Sequence, residues 1–448
     1  MSRVQRRLAL GIAIVAVIAA GAVWWLRGPG PMAFTDGPTV ALADYRAADP
    51  SGVPPALAKA SLVERGEYLA RTADCMVCHT TKGGKPFAGG LAFTLPFGTL
   101  YSTNITPDKE TGIGTYSDQD FLNALHRGVR KDGARLYPAM SYTSYTYMTD
   151  ADALAIKAYL FSLPPVRATP PANTLAFPFN QRWAMGFWSA VFNADKRFEP
   201  DTARSPEWNR GAYLVEALAH CGECHTPRNI AFALDNRAKF AGAVAAGWKA
   251  FNISSDKSTG VGGWRDDELI SYLSTGHAAG RGTASGPMGE AVDHSFSRMA
   301  PEDIRAMVTY LRSVPPSASS DLPAATAPAA PASHKEGGGT SLAQGKKIFQ
   351  GACVSCHGWT GESPITPLAT FTGSWAVNDP AATNVAQIVI SGTVRQMPQG
   401  ALSMPAFGAI YSDAEIAAVA NYVTARFGAK GARLTEQDVV ALRKQAAQ

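Results

Sequence analysis

"HCGECHTPRN", residues 220–229, sets two thiols two residues apart and an imidazole directly after the second. The same pattern returns at Cys75, Cys78 and His79 and at Cys353, Cys356 and His357. Together the three copies use all six cysteines of the 448-residue chain, so none is left for a structural disulfide. Each copy follows a Gly-led apolar stretch: "RGEYLARTADC" from Arg65, "RGAYLVEALAHC" from Arg210 and "QGKKIFQGAC" from Gln344. The spacing predicts a helix delivering the chain to each motif.

A two-residue gap puts both thiols on one face of a short helical turn, where they can add to the two vinyl groups of a haem. The next side chain then points its imidazole at the iron, which is the c-type attachment signature. Zinc needs four ligands, commonly two such pairs close together, whereas these pairs stand far apart in sequence. A redox Cys-x-x-Cys belongs in a βαβ context that the sequence lacks.

The surroundings of the first two motifs match further. "NITPDKETGIG" from Asn104 and "NISSDKSTGVG" from Asn252 are polar, Gly-containing loops. These asparagines suit either haem propionates or Asx-turns that shape the loop. Each repeat closes on an apolar stripe at helical spacing: Ile156, Tyr159, Leu160 and Leu163; Met307, Tyr310, Leu311 and Val314; Val419, Tyr422 and Val423. Ser412 and Glu415 form a capping box, and Pro301 suits a first helical turn. No alternating strand pattern is visible, so the fold class expected is all-α.

Register also picks out the second iron ligand. Met140 and Met288 each lie 36 residues after the loop asparagine. Their rivals Met148 and Met299 have no methionine counterparts. In the third unit Met404, before Pro405, is better placed relative to Tyr422 than Met397. A His/Met pair closes the iron and raises its potential, which suits electron transfer. The expected metal ligands are therefore His79 and Met140, His225 and Met288, and His357 and Met404. His126, His277 and His294 have no equivalents and are expected at the surface or in caps, with His220 packed beside the haem edge.

The N-terminus, "MSRVQRRLALGIAIVAVIAAGAVWWLRGPG", carries Arg3, Arg6 and Arg7 before an uncharged run from Leu8 to Leu26. Its length approaches a bilayer core of about 30 Å, and the flanking charge keeps the N-terminus inside. A retained anchor is expected over a cleaved signal peptide, because the apolar run continues past Ala20–Ala22. Net charge is +5 with no basic run, which gives nucleic acid no purchase.

The three motifs, the "STNITPDKETGIG" loop, "LYPAMSYTSYTYMTDADALAIKAYLFSLPP" and "MPAFGAIYSDAEIAAVANYV" resemble the tri-haem cytochrome c subunits of bacterial membrane-bound dehydrogenases of the alcohol, aldehyde, gluconate and fructose type. The resemblance covers residues 60–428. It implies three tandem class I-like cytochrome c domains, at 61–165, 206–316 and 341–428. An anchor (1–27), a tether (28–60), an aromatic connector (166–205), a flexible linker (317–340) and a polar tail (429–448) complete the chain. It implies three covalent haems c that take electrons from a catalytic dehydrogenase subunit and pass them to membrane ubiquinone on the periplasmic face of the cytoplasmic membrane. That partner is a quinoprotein, a flavoprotein or a molybdenum hydroxylase, the last with a small iron–sulfur subunit. The substrate-oxidising site is expected on the partner. The N-terminal anchor departs from alcohol-oxidising relatives, which use a C-terminal amphipathic segment, and this keeps a molybdenum partner in play. A peroxidase-like haem enzyme with one open iron, and a relay to a terminal oxidase, stand as the alternatives. "LAFPFNQRWAMGFWSAVF", 175–192, is expected either to pack between the first two units or to form an interfacial surface near the quinone.

Overall fold

The computed structural model describes residues 3–33, 50–319, 340–397 and 400–446. One helix crossing recurs three times. The leading helices Leu62–Thr72, Pro206–Ala212 and Thr340–Ile348 pack on the closing helices Asp150–Ser162, Pro301–Ser313 and Asp413–Phe427. A glycine stands at each crossing. A Cβ on Gly66, Gly211 or Gly345 would fall 1.9, 2.0 or 2.1 Å from the carbonyl oxygen of Ala155, Ala306 or Ala418. The Gly-led stretches thus exist because the backbones meet there with no room for a side chain. Ser61/Glu64, Ser117/Asp120 and Ser412/Glu415 form capping boxes, and Pro301 opens its helix.

The fold is mainly helical, with short strands that the all-α expectation did not include. Four two-stranded antiparallel hairpins punctuate the helices: Ala92–Leu95 with Gly98–Tyr101, Ala243–Ala245 with Trp248–Ala250, His277–Ala278 with Gly282–Thr283, and Thr393–Met397 with Gly400–Met404. Strands of two to five residues are too short to write a period-two pattern into the sequence. They form because a tight turn brings neighbouring backbone into register.

The first two segments exchange equivalent contacts. Tyr68 donates its hydroxyl to Asp303 (2.6 Å), and the equivalent Tyr213 donates to Asp152 (2.5 Å). Each tyrosine oxygen also accepts a backbone N–H at the start of the opposite closing helix, from Ala300 to Tyr68 and from Thr149 to Tyr213. Buried Arg210 pairs with Asp303 at 2.6 Å and donates to the carbonyls of Pro50 and Gly52. The last part of the expected tether is therefore built into this junction; residues 34–49 lie outside the described residues.

The third segment docks on the second. Buried Arg395 and Asp293 pair at 2.6 Å, Lys249 meets Asp379 at 3.1 Å, and Trp375 packs edge-on against Trp264 and Phe251. The linker between them lies largely outside the described residues. The tail is less free than its polarity suggests. Helix Glu436–Ala446 buries Val439, and Arg443 pairs with Asp413 at 2.6 Å.

Candidate haem-binding site

Each motif is a single helical turn: Cys75–Cys78, Gly222–His225 and Val354–His357. π-helical turns at Tyr213–Leu218 and Phe349–Cys353 widen the approach to the second and third. Before the first two motifs, Asp74 (φ 55°) and His220 (φ 38°) turn the chain through left-handed backbone. His220 packs edge-on against Tyr145 with ring centroids 5.4 Å apart.

The three histidines share one geometry. Nδ1–H of His79 donates to Thr103 O (2.7 Å), that of His225 to Phe251 O (2.6 Å) and that of His357 to Ala369 O (2.7 Å). Such a bond fixes the tautomer and leaves Nε2 as a lone-pair donor, the arrangement a metal-ligating imidazole requires. Burial lowers all three imidazole pKa values, which favours the neutral ring that a metal ligand needs. Burial pushes the thiols of Cys75 and Cys221 up to about 12 and those of Cys224 and Cys353 up to about 11; Cys78 rises as well. Among the described residues no three His, Cys, Asp or Glu side chains converge as a metal cluster, and no cysteine forms a disulfide. Two thiols and one imidazole per motif fit thioether attachment to a macrocycle, whereas a structural zinc takes four ligands.

The loop asparagines resolve toward the turn. Asn104 Oδ1 accepts from the N–H and hydroxyl of Thr106, while Nδ2 donates to Thr111 Oγ1 and Val166 O. Asn252 repeats this with Ser254, Thr259 and Ser317. Both are buried and fully used, so neither reaches for a propionate. Their contribution is one residue upstream, where Thr103 and Phe251 supply the carbonyls that hold His79 and His225. Sequence reading missed these carbonyls, because a backbone acceptor leaves no residue-type signal.

Met140, Met288 and Met404 are half-buried and pack on the same cores as Cys75, Cys221 and Cys353 respectively. Met148 has no exposed surface and Met299 is buried, as core filler should be. The side chain of Met397 lies outside the described residues. A cavity of about 2550 Å³ brings together Cys221, Cys224, His225 and Met288, with Cys78 and Met404 at its walls. Cys75, His79, Met140 and the third motif lie outside that lining. Small-molecule pockets run to roughly 1,000 Å³, so this space exceeds a single such ligand. His126 departs from expectation: it is buried, 3.6 Å from Asp150. Arg127, Arg130 and Lys131 are engaged locally by Asp195, Asp132 and Thr115 O.

Comparison with known proteins decides the family. The cytochrome c family model matches residues 63–164 and 342–426. The chain is 39% identical to the fructose dehydrogenase cytochrome subunit of Gluconobacter japonicus, over 85% of this chain and 82% of the relative. It is 40% identical to the gluconate 2-dehydrogenase cytochrome c subunit of Pantoea cypripedii, over 86% and 90%. This chain belongs to the family of cytochrome c subunits of dehydrogenase complexes. The family carries covalently bound haem c and transfers electrons. The cytochrome is also 42% identical to a nicotinate dehydrogenase subunit of Pseudomonas putida, but it spans only 31% of that protein's length.

The aromatic connector both packs between the first two segments, through Trp188 on Tyr142 and Phe179 on Phe97, and leaves other rings exposed. Trp183 and Phe187 are 67% and 71% exposed, while Trp188 is tied to Ala231 O by its indole N–H at 2.8 Å. The cavity reaches this region, with Phe179, Trp188 and Ile230 in its walls.

Proposed function

We propose that the cytochrome is a tri-haem electron relay, held in the cytoplasmic membrane by its N-terminal helix with the haem domains on the periplasmic side. It accepts electrons from a catalytic dehydrogenase subunit and passes them to membrane ubiquinone. The observation that carries this reading is the threefold repetition of one arrangement, Cys-x-x-Cys-His with the histidine Nδ1–H held by a backbone carbonyl. The three domains are those around residues 61–165, 206–316 and 341–428.

Cys75, Cys78, Cys221, Cys224, Cys353 and Cys356 would carry the thioether links. His79, His225 and His357 would ligate on one side of each iron and Met140, Met288 and Met404 on the other. Haem iron, when bound, supplies a one-electron couple. Thr103, Phe251 and Ala369 keep each imidazole aimed, and the apolar walls of the cavity exclude water. Three such centres, when bound, would supply one-electron steps between a two-electron substrate oxidation and a quinone, which is reduced by two electrons and two protons. The extension of the cavity from His225 to the exposed connector beside the anchor supports a quinone acceptor. The relatives' names cover several dehydrogenase chemistries, so the partner is set only as a quinoprotein, flavoprotein or molybdenum hydroxylase, the last with an iron–sulfur subunit.

Purified full-length protein should give three haems per chain by pyridine haemochrome, with colour retained after acid-acetone extraction. Reduced protein should leave carbon monoxide unbound, and Met288→Ala should open one haem in three to it. Fewer than three haems, or avid carbon monoxide binding by the unaltered protein, overturns the reading in favour of a haem enzyme. Replacing Trp183 and Phe187 with Ser should slow quinone reduction severalfold at unchanged haem content. Unchanged quinone kinetics would favour a terminal oxidase as acceptor.

A further inference from the structure

The N-terminal helix Arg3–Arg27 spans 25 residues, and its side chains from Val4 to Trp25 are exposed. It is long and apolar enough to cross a membrane. Its far end, however, is pinned to the haem-bearing body. Asn229 Nδ2 donates to Leu26 O (2.9 Å), Asn236 Nδ2 donates to Pro29 O (3.1 Å), and Arg237 donates to Trp25 O (2.9 Å). The Arg237 guanidinium also lies over the Trp25 ring, 4.6 Å from its centroid. A helix that ends this way fixes which face of the body meets the membrane surface.

That face is apolar and aromatic. Next to Asn229, Ile230 is 85% exposed. Phe177, Trp183 and Phe187 project from the connector and its helix Ala184–Phe192, which packs against the anchor helix. These side chains stand on rigid supports. Trp188 ties the connector helix to the 229–233 loop, and Phe179 stacks on Phe97 at 3.9 Å while Phe97 meets Phe232 edge-on. Arg27 and Arg182 lie at the margin, Arg182 braced by Arg135 O and the Tyr137 ring.

We infer that this face is a second membrane contact: the connector and the 229–233 loop rest in the headgroup–acyl boundary of the bilayer that the anchor crosses. The occupant is phospholipid. Tryptophan and phenylalanine favour that boundary, and arginines beside them suit anionic headgroups. The exposed rings of a helix packed against the spanning helix, and Ile230 beside the residue that holds its end, are placed near that depth. The consequence is orientation. The pinned helix end and the lipid contact together keep one face down and turn the cavity wall at Phe179, Trp188 and Ile230 toward lipid. The inference rests on the anchor reading and is independent of haem number and of the acceptor.

The test uses full-length holoprotein in nanodiscs of phosphatidylethanolamine and phosphatidylglycerol. The photo-crosslinker p-benzoylphenylalanine replaces Trp183, Phe187 or Ile230, with controls at Ile365 and Ile410, which are exposed near the third motif. After irradiation, mass spectrometry should find phospholipid adducts at the three test positions at least tenfold above the controls. Adducts to a co-purified subunit at those positions, or lipid adducts no higher than at the controls, would overturn the inference. Haem content of each variant shows that it has folded. A count below three alongside lipid adducts would sink the tri-haem reading and leave this contact standing.

Discussion

The side chain of Asn104 uses its hydrogen-bonding capacity inside its own loop, yet the loop begins by presenting Thr103 O to the histidine 24 positions before it. In the third segment a proline-led turn, Pro367–Ala369, does the same with Ala369 O. Different residues thus achieve one end, a neutral imidazole with a fixed tautomer. His126 illustrates the opposite case, an imidazole the fold keeps neutral without a ligand role. Burial pushes its pKa down to about 4, Arg197 adds to this, and Asp150 and Asp195 oppose it. The unfolded chain would bind that proton near pH 6.5. Between those values the unfolded state holds more protons, so stability is intact above pH 6.5 and is lost as pH falls toward 4. Denaturant midpoints should drop over that range, and His126→Gln should flatten the drop.

At the scale of elements, the leading and closing helices are held by backbone proximity that only glycine permits. Gly345→Ala would drive a methyl group into Ala418 O, at 2.1 Å, with the Cβ of Tyr422 at 2.8 Å behind it. Overpacking of this kind costs about 1–3 kcal/mol, to be read as a lowered thermal midpoint of the holoprotein. Gly351 lies in the π-helical turn that follows the same helix, and an added carbon there meets no atom within 4 Å. Gly351→Ala should therefore stay within roughly 0.5 kcal/mol of the parent. Equal losses from both would show that the crossing is looser than its geometry. The hairpins follow a different logic. They are set by glycine turns and by what they pack on, so their strands carry no pattern a reader could use.

For the whole molecule, contacts between segments matter as much as those within them. The reciprocal Tyr68–Asp303 and Tyr213–Asp152 bonds join the first two motifs into one body, and Arg395–Asp293 fastens the third. Removing one partner of a buried ion pair leaves the other charge desolvated, at a cost of about 3–5 kcal/mol. Arg395→Leu should therefore loosen the third segment while sparing covalent haem. Hydrogen–deuterium exchange should speed up in the helices Gly286–His294 and Thr383–Ser391, which flank the junction, and stay unchanged in Leu62–Thr72. Exchange at the parent rate in all three would show that other contacts suffice.

The motifs, their order, the leading and closing helices and the apolar N-terminal run are legible in the sequence. Each is a local matter: residue type at a fixed spacing decides whether a turn can carry two thiols and an imidazole, or whether a helix has an apolar stripe. The equal spacing of Met140 and Met288 is legible too, because two repeats keep their loop lengths. What the tertiary structure alone decided was which backbone carbonyl holds each histidine, how Tyr68 and Tyr213 exchange partners, and where the connector's aromatic rings lie relative to the anchor. Those are meetings between residues tens to hundreds of positions apart. They depend on how packed helices bring surfaces together, and no spacing along the chain encodes that.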